Sequence, residues 1–118
     1  MFKKKKKINY LELTPYRKLS FEETEEGLID VLVPRFKNEF LKKLLSPRRG
    51  TPFIKANLDE IGSVTWKLID GDSNVTIIAE KLTEHFGEKI HPVYDRLTAF
   101  LTQLYNNGFI SFNEFERK

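Results

Sequence analysis

The stretch LDEIGSVTWKLIDGD, residues 58–72, carries the clearest local signals in this chain of 118 residues. Asp59 is suited to cap a helix through its carboxylate. Gly71 stands where a helix favours a left-handed residue just after its end. Between them, apolar residues recur at helical spacing beside Trp66. The segment holds no group suited to catalysis, so it predicts a scaffold helix with a buried Trp66.

Upstream of this helix, the sequence predicts a β-hairpin. Leu19 and Phe21 alternate with polar residues, as a half-buried strand requires. Gly27 supplies a turn, and the branched run LIDVLV (residues 28–33) predicts the second strand, which Pro34 ends.

Two further segments precede the scaffold helix. Phenylalanines and leucines at helical spacing, with lysines between them, predict a short basic amphipathic helix within residues 37–51. The segment PFIKANL (residues 52–58) alternates weakly and predicts a third strand.

Two more helices are predicted downstream. Asn74 caps the first and Gly87 ends it. Pro92 opens the last helix, whose expected core stripe consists of Val93, Leu97, Phe100 and Leu104. An apolar tail follows, and the sequence shows no partner for it. We therefore expect an α+β, winged-helix-like fold, in which an N-terminal antiparallel three-stranded sheet precedes a three-helix bundle and the short basic helix lies between strands two and three.

Composition limits the possible classes. The length indicates one domain that can bury a core without metals or disulfides. No cysteine is present, which excludes a disulfide framework, a cysteine nucleophile and a thiolate zinc site. No apolar run is long enough to span a membrane, and no apolar stretch follows the first lysines as in a secretory signal. We expect a cytoplasmic protein without a membrane partner.

Charge is unevenly distributed along the chain. The net charge is +3, with +7 over residues 1–55 and −4 over residues 56–118. The basic excess lies in residues 3–7 and 35–50. Such segments can attract nucleic acid, anionic lipid or an acidic protein surface, although a solvated tail and the wet face of a helix are the simpler interpretation.

Residue patterns typical of enzymes are missing. His85 and His91 are the two histidines, and no carboxylate pairs with them at metal-ligand spacing. Gly62-Ser63 lacks the second glycine of a nucleophile elbow. A loop beginning at Asp70 has Lys81 where a calcium loop needs glutamate. We expect no catalytic residue, no metal site and no cofactor.

Two groups of residues form a pattern that extends beyond single elements. The first comprises Leu58-Asp59, Trp66-Lys67-Leu68-Ile69-Asp70-Gly71, and then Val75, Ile78, Leu82 and Phe86. The second comprises Asp95, Phe100, Leu101, Leu104 and Gly108 in the region of the last helix. Together they resemble the PqqD family, and the resemblance covers residues 52–110. It implies one domain with a basic tail (1–15), a hairpin (16–36), a basic helical insertion (37–51), the family core (52–110) and a second tail (111–118). The insertion departs from the family pattern, which favours a member that serves a peptide other than the precursor of pyrroloquinoline quinone.

The resemblance implies a non-enzymatic RiPP recognition element, a peptide chaperone in natural product biosynthesis. Such a domain captures the leader of a ribosomally made precursor peptide and presents it to a modifying enzyme, often a radical SAM protein. The leader would add to the third strand and lie against the last helix. The implied peptide-binding residues are Phe53, Ile54, Lys55, Ala56, Asn57, Tyr94, Leu101 and Tyr105. A partner surface is expected at Lys42, Lys43, Arg48 and Arg49.

Two other functions fit the same patterns. The topology and the basic segments would suit a winged-helix DNA-binding protein, but its last helix offers mainly Arg96 and Gln103 for reading bases, so nucleic acid is a weak candidate. A small structural adaptor, holding a partner through residues 35–50, is the other alternative. The sequence leaves oligomeric state open, and a homodimer is compatible with it.

Overall fold

The computed structural model describes residues 9–34 and 53–116. The strands are β1 (Pro15–Arg17), β2 (Phe21–Glu23), β3 (Ile29–Pro34), β4 (Phe53–Asn57) and β5 (Ile110–Phe112). The helices are α1 (Glu60–Leu68), α2 (Val75–Phe86), α3 (Val93–Asn106) and the short α4 (Asn113–Glu116), with 3-10 turns at Tyr10–Glu12 and Gly87–Ile90. The described residues form two compact units: a sheet unit (19–34 and 53–64) and a helical unit (9–18 and 65–116).

The sheet unit contains the predicted three-stranded antiparallel sheet, in the order β2-β3-β4. Gly27 closes the turn between β2 and β3 with a φ of 87°, a conformation that glycine adopts without strain. Ile29 and Val31 on the central strand are fully buried. The predicted hairpin and the predicted third strand are therefore confirmed.

Ser63 in the first turns of α1 fixes one end of this sheet. Its buried hydroxyl accepts the Ile29 N–H at 2.8 Å and donates to the Leu58 carbonyl at 3.3 Å. A buried N–H without an acceptor would cost about 1–3 kcal/mol. The small Gly62-Ser63 pair thus has a structural role, joining the start of β3 to the end of β4.

The helix ends follow the sequence signals. The Asp59 carboxylate accepts the Gly62 N–H at 2.8 Å, and the Asn74 side chain accepts the Ile77 N–H at 2.9 Å. Gly71 and Gly87 have φ values of 83° and 65°, so both predicted helix stops are confirmed. Pro92 precedes the first residue of α3.

The core of the helical unit surrounds Trp66. Its side chain is fully buried, as predicted, and the Phe109 ring meets it edge-on at 6.4 Å between centroids. The other large buried side chains of this unit include Ile69 just after α1, Ile78 and Leu82 in α2, Leu101 in α3, and Ile110 and Phe112 in β5. Trp66 is therefore part of the scaffold.

The two expected tails differ from the structure. Part of each forms a strand, and β1 pairs with β5 so that Tyr16 lies opposite Ser111. Leu13 is buried, and its carbonyl accepts the Val75 N–H at the start of α2. The apolar tail therefore has its partner in residues 15–17, a pairing between opposite ends of the chain that local patterns do not predict.

The α+β class with antiparallel sheets is confirmed, and the second, two-stranded sheet is an addition to the expected fold. The winged-helix arrangement of the elements stays a prediction. The predicted basic helix of residues 37–51 lies outside the described residues. Within the described residues, no helix combines the length and apolar character needed to cross a membrane.

Candidate functional site

The outer edge of β4 is the main candidate for a binding surface. β3 occupies one side of β4, in a register that places Val31 opposite Ala56 and Leu32 opposite Lys55. Within residues 9–34 and 53–116, no strand pairs with the other side. A strand edge of this kind presents backbone groups that can pair with another chain.

The hydrogen bonds identify which backbone groups point outward. Leu58 donates its N–H to the Ile29 carbonyl on β3 at 2.9 Å. Backbone groups of successive residues in an antiparallel ladder point alternately to the two sides. Ala56 and Ile54 therefore point to β3, as Leu58 does, whereas Lys55 and Asn57 direct their N–H and carbonyl groups to the outer edge.

Side chains along β4 alternate between the two faces of the sheet. Ile54 and Ala56 lie on the face that also carries Val31, and Ile54 is 51% exposed. Lys55 and Asn57 lie on the other face with Phe53, which is 40% exposed. The edge thus combines outward backbone groups with exposed apolar side chains, the combination that strand addition uses.

The second face of the sheet, called the polar face, carries the polar residues Glu22, Asp30, Lys55 and Asn57 together with the apolar Leu32 and Phe53. Lys55 Nζ lies 3.1 Å from Glu22 Oε1, with both side chains more than half exposed. Asn57 Nδ2 donates to Asp30 Oδ1 at 2.7 Å. An exposed ion pair of this kind contributes at most about 1 kcal/mol, so Lys55 can exchange Glu22 for another carboxylate at little cost.

The predicted site residues on α3 divide into two groups. Tyr94 and Tyr105 are 42% and 41% exposed, but Leu101 is fully buried. Leu101, expected with the two tyrosines to contact the peptide, is therefore not accessible at the surface of α3. The buried face of α3 includes Leu101. Phe100, predicted for the core stripe, is half-buried at the edge of that face. Leu101 belongs to the core of the helical unit.

Tyr105 belongs to an aromatic cluster that the sequence did not predict. Its ring centroid lies 5.6 Å from that of Phe112 and 5.5 Å from that of Phe115. Tyr10 meets Phe112 edge-on at 5.8 Å, and its hydroxyl lies 3.0 Å from that of Thr102. These residues and Leu13 line a cavity of about 330 Å³ in the helical unit. The aromatic residues at both chain ends were its only signal in the sequence.

The predicted partner surface at Lys42, Lys43, Arg48 and Arg49 lies outside the described residues. The two histidines are exposed, as expected for surface residues, and the His85 ring packs against Phe86. Groups of three or more potential metal ligands do not occur in the described part of the chain.

A comparison with known protein families identifies the family of this chain. The sequence model of the family described as "Coenzyme PQQ synthesis protein D (PqqD)" matches residues 43–110, more than half of the chain. The chain belongs to the PqqD family. No curated protein and no solved structure matches it.

Membership of the PqqD family connects the β4 edge to a class of ligand. The family is associated with the biosynthesis of PQQ and of ribosomally made, modified peptides, and its members are non-catalytic accessory proteins. Their partners are a precursor peptide and a modifying enzyme. The match includes β4, α1, α2 and α3, so the candidate edge lies in the family region.

Proposed function

We propose that this PqqD protein captures the leader of a precursor peptide as an added strand on the outer edge of β4 and presents it to a modifying enzyme. The observation that carries the proposal is the outward direction of the Lys55 and Asn57 backbone groups, on an edge that no described strand covers. Main-chain hydrogen bonds would supply affinity, and the side chains of β4 would set the register.

Exposure of apolar side chains supports the same edge. Ile54 is half exposed on a strand whose neighbour β3 has Ile29 and Val31 buried. A leader strand beside β4 would cover part of this apolar surface. Each Å² of apolar surface removed from water would stabilise the complex by about 25 cal/mol.

The modifying enzyme is proposed to be a radical SAM protein, following the family. In this proposal the protein acts as a peptide chaperone with no chemistry of its own. The basic segment of residues 35–50 is the proposed contact for the enzyme, because its charge could speed association with an acidic surface.

Two substitutions at one position test the strand mechanism. Lys55→Pro removes an outward N–H and places the proline ring at the edge, while the bonds of Ile54 and Ala56 to β3 remain. Lys55→Ala is the matched control, since it removes the same side chain and keeps the N–H. The ligand is a synthetic leader of a candidate precursor peptide, and binding is measured by calorimetry.

We expect Lys55→Pro to weaken leader binding by about tenfold or more, through the lost hydrogen bond and the blocked edge. Lys55→Ala should stay within about fivefold of the parent, because only an exposed charge is lost. Circular dichroism establishes that both variants are folded. Equal leader affinity of the two folded variants would rule out strand addition at β4.

A further inference from the structure

Positive and negative side chains are separated across the polar face of the three-stranded sheet. On the polar face, Glu22 lies on β2, Asp30 on β3 and Lys55 on β4. Among the described strand residues of this sheet, Lys55 is the only cation. The charge therefore changes from acidic at the β2 edge to basic at the β4 edge, next to the position of an added strand.

An added strand would place its side chains by the same alternation. The residue opposite Lys55 would direct its side chain to the polar face, at a Cβ separation of about 4.5–5.5 Å. Its two neighbours would point to the apolar face, beside Ile54 and Ala56. This assignment holds for parallel and antiparallel strands, because side chains alternate in both.

From this placement we infer that the β4 edge selects a leader strand with an acidic residue opposite Lys55 and an apolar residue on each side of it. The inference rests on the proposed function and specifies the chemistry of its ligand. A carboxylate at this position can take over the exposed ion pair that Lys55 makes with Glu22. A lysine there would meet Lys55 directly, and like charges opposite each other destabilise a strand pair.

The same argument disfavours a second copy of the chain at this edge. Two β4 strands pairing antiparallel about their centres would place Lys55 opposite Lys55. A peptide with a central carboxylate between apolar residues avoids this repulsion and covers Ile54 at the same time. The occupant is therefore an acidic-centred, alternating peptide.

Designed peptides test this selectivity separately from capture of the natural leader. The host peptide is acetyl-Ser-Val-Thr-Val-Glu-Val-Thr-Ser-amide. In two variants the glutamate becomes glutamine or lysine, and in a third it exchanges places with the following valine. Binding is followed by amide NMR shifts in the parent protein, in Lys55→Glu and in Glu22→Gln.

For the parent protein, we expect the glutamine peptide to bind about threefold more weakly than the glutamate peptide and the lysine peptide about tenfold more weakly. Lys55→Glu should reverse this order. Glu22→Gln should strengthen binding of the glutamate peptide by about twofold, because a competing carboxylate is removed, and added salt should reduce the differences. The exchanged peptide should bind more weakly than the host.

Equal affinities for the glutamate and lysine peptides, unchanged in Lys55→Glu, would overturn the inference. So would an absence of shifts at Lys55 and Asn57 with the glutamate peptide. Either result leaves the proposed function intact if the natural leader still binds Lys55→Ala more tightly than Lys55→Pro. If the natural leader shows no such difference, the proposed function fails and the inference fails with it.

Discussion

β4 and β5 are both short, partly apolar strands, and they have opposite exposure. Ile110 in β5 is 1% exposed, whereas Ile54 in β4 is 51% exposed. All three residues of β5 are buried, and β1 pairs with it. β4 pairs with β3 on one side and leaves Lys55 and Asn57 directed to the other. Within the described residues, each of the two strands pairs with another strand on one side only, so neither apolar content nor an open edge separates them. The exposure of the β4 side chains is the difference that makes β4 the proposed docking strand.

The largest expected effect concerns the scaffold. Trp66→Ala should reduce the free energy of unfolding by about 3–5 kcal/mol, because a fully buried ring is removed from the core of the helical unit. Tyr94→Ala, at an exposed position of α3, is the control and should change it by about 0.5 kcal/mol or less. Urea denaturation measures both. Similar losses for the two variants would show that Trp66 is not the core residue described.

A matched isoleucine pair tests the comparison itself. Ile110→Ala should cost about 2–5 kcal/mol, since it leaves a cavity in a buried strand. Ile54→Ala should cost less than about 1 kcal/mol, since half of the side chain is already in water. In leader binding the order should reverse, with only Ile54→Ala weakening the complex. A large stability loss for Ile54→Ala would make β4 a scaffold strand as well.

The connection between β3 and β4 can be broken at Ser63. Ser63→Ala leaves the Ile29 N–H without its acceptor, so we expect a loss of about 1–3 kcal/mol in urea denaturation. Ser20→Ala removes an exposed hydroxyl of the same unit and should have almost no effect. If Ser63→Ala also left the free energy of unfolding unchanged, the Ser63 hydroxyl would not contribute to the stability of the sheet.

The smallest effect is a pH dependence at Asp70. The backbone N–H groups of Asp72 and Ser73 donate to its carboxylate and lower the pKa of Asp70. Because the folded pKa lies below the unfolded value of about 3.9, this stabilisation is present above that pH and is lost as the pH falls through the folded pKa. Asp70→Asn should therefore make stability less dependent on pH below about pH 4. If the stability of Asp70→Asn fell at acidic pH as steeply as that of the parent protein, this expectation would be contradicted.

The sequence predicted features that depend on local chemistry. The hairpin turn at Gly27, the caps at Asp59 and Asn74 and the buried Trp66 follow from residue type and short-range spacing. The β1–β5 pairing was missed because two three-residue strands have no measurable periodicity and lie at opposite ends of the chain.

For the candidate site, the sequence predicted the strand β4 but not which side of α3 is buried. Leu101 was named with Tyr94 and Tyr105 as a peptide-binding residue and is buried. Apolar residues occupy much of the circumference of α3, so periodicity alone does not define which arc faces the core. The buried face of α3 depends on which elements pack against the helix. The aromatic cluster around Tyr105 and Phe112 also depends on contacts between residues far apart in sequence.

Hydrogen exchange at single amides tests strand addition on β4 most directly. The Lys55 and Asn57 amides point outward, and the Ile54 and Ala56 amides already bond to β3. When a precursor leader saturates the protein, exchange at Lys55 and Asn57 should slow by about tenfold or more, while the two already bonded amides change much less. Slower exchange at every second residue of β4 would establish the added strand. Saturating leader that leaves Lys55 and Asn57 exchanging at their free rates would contradict the account.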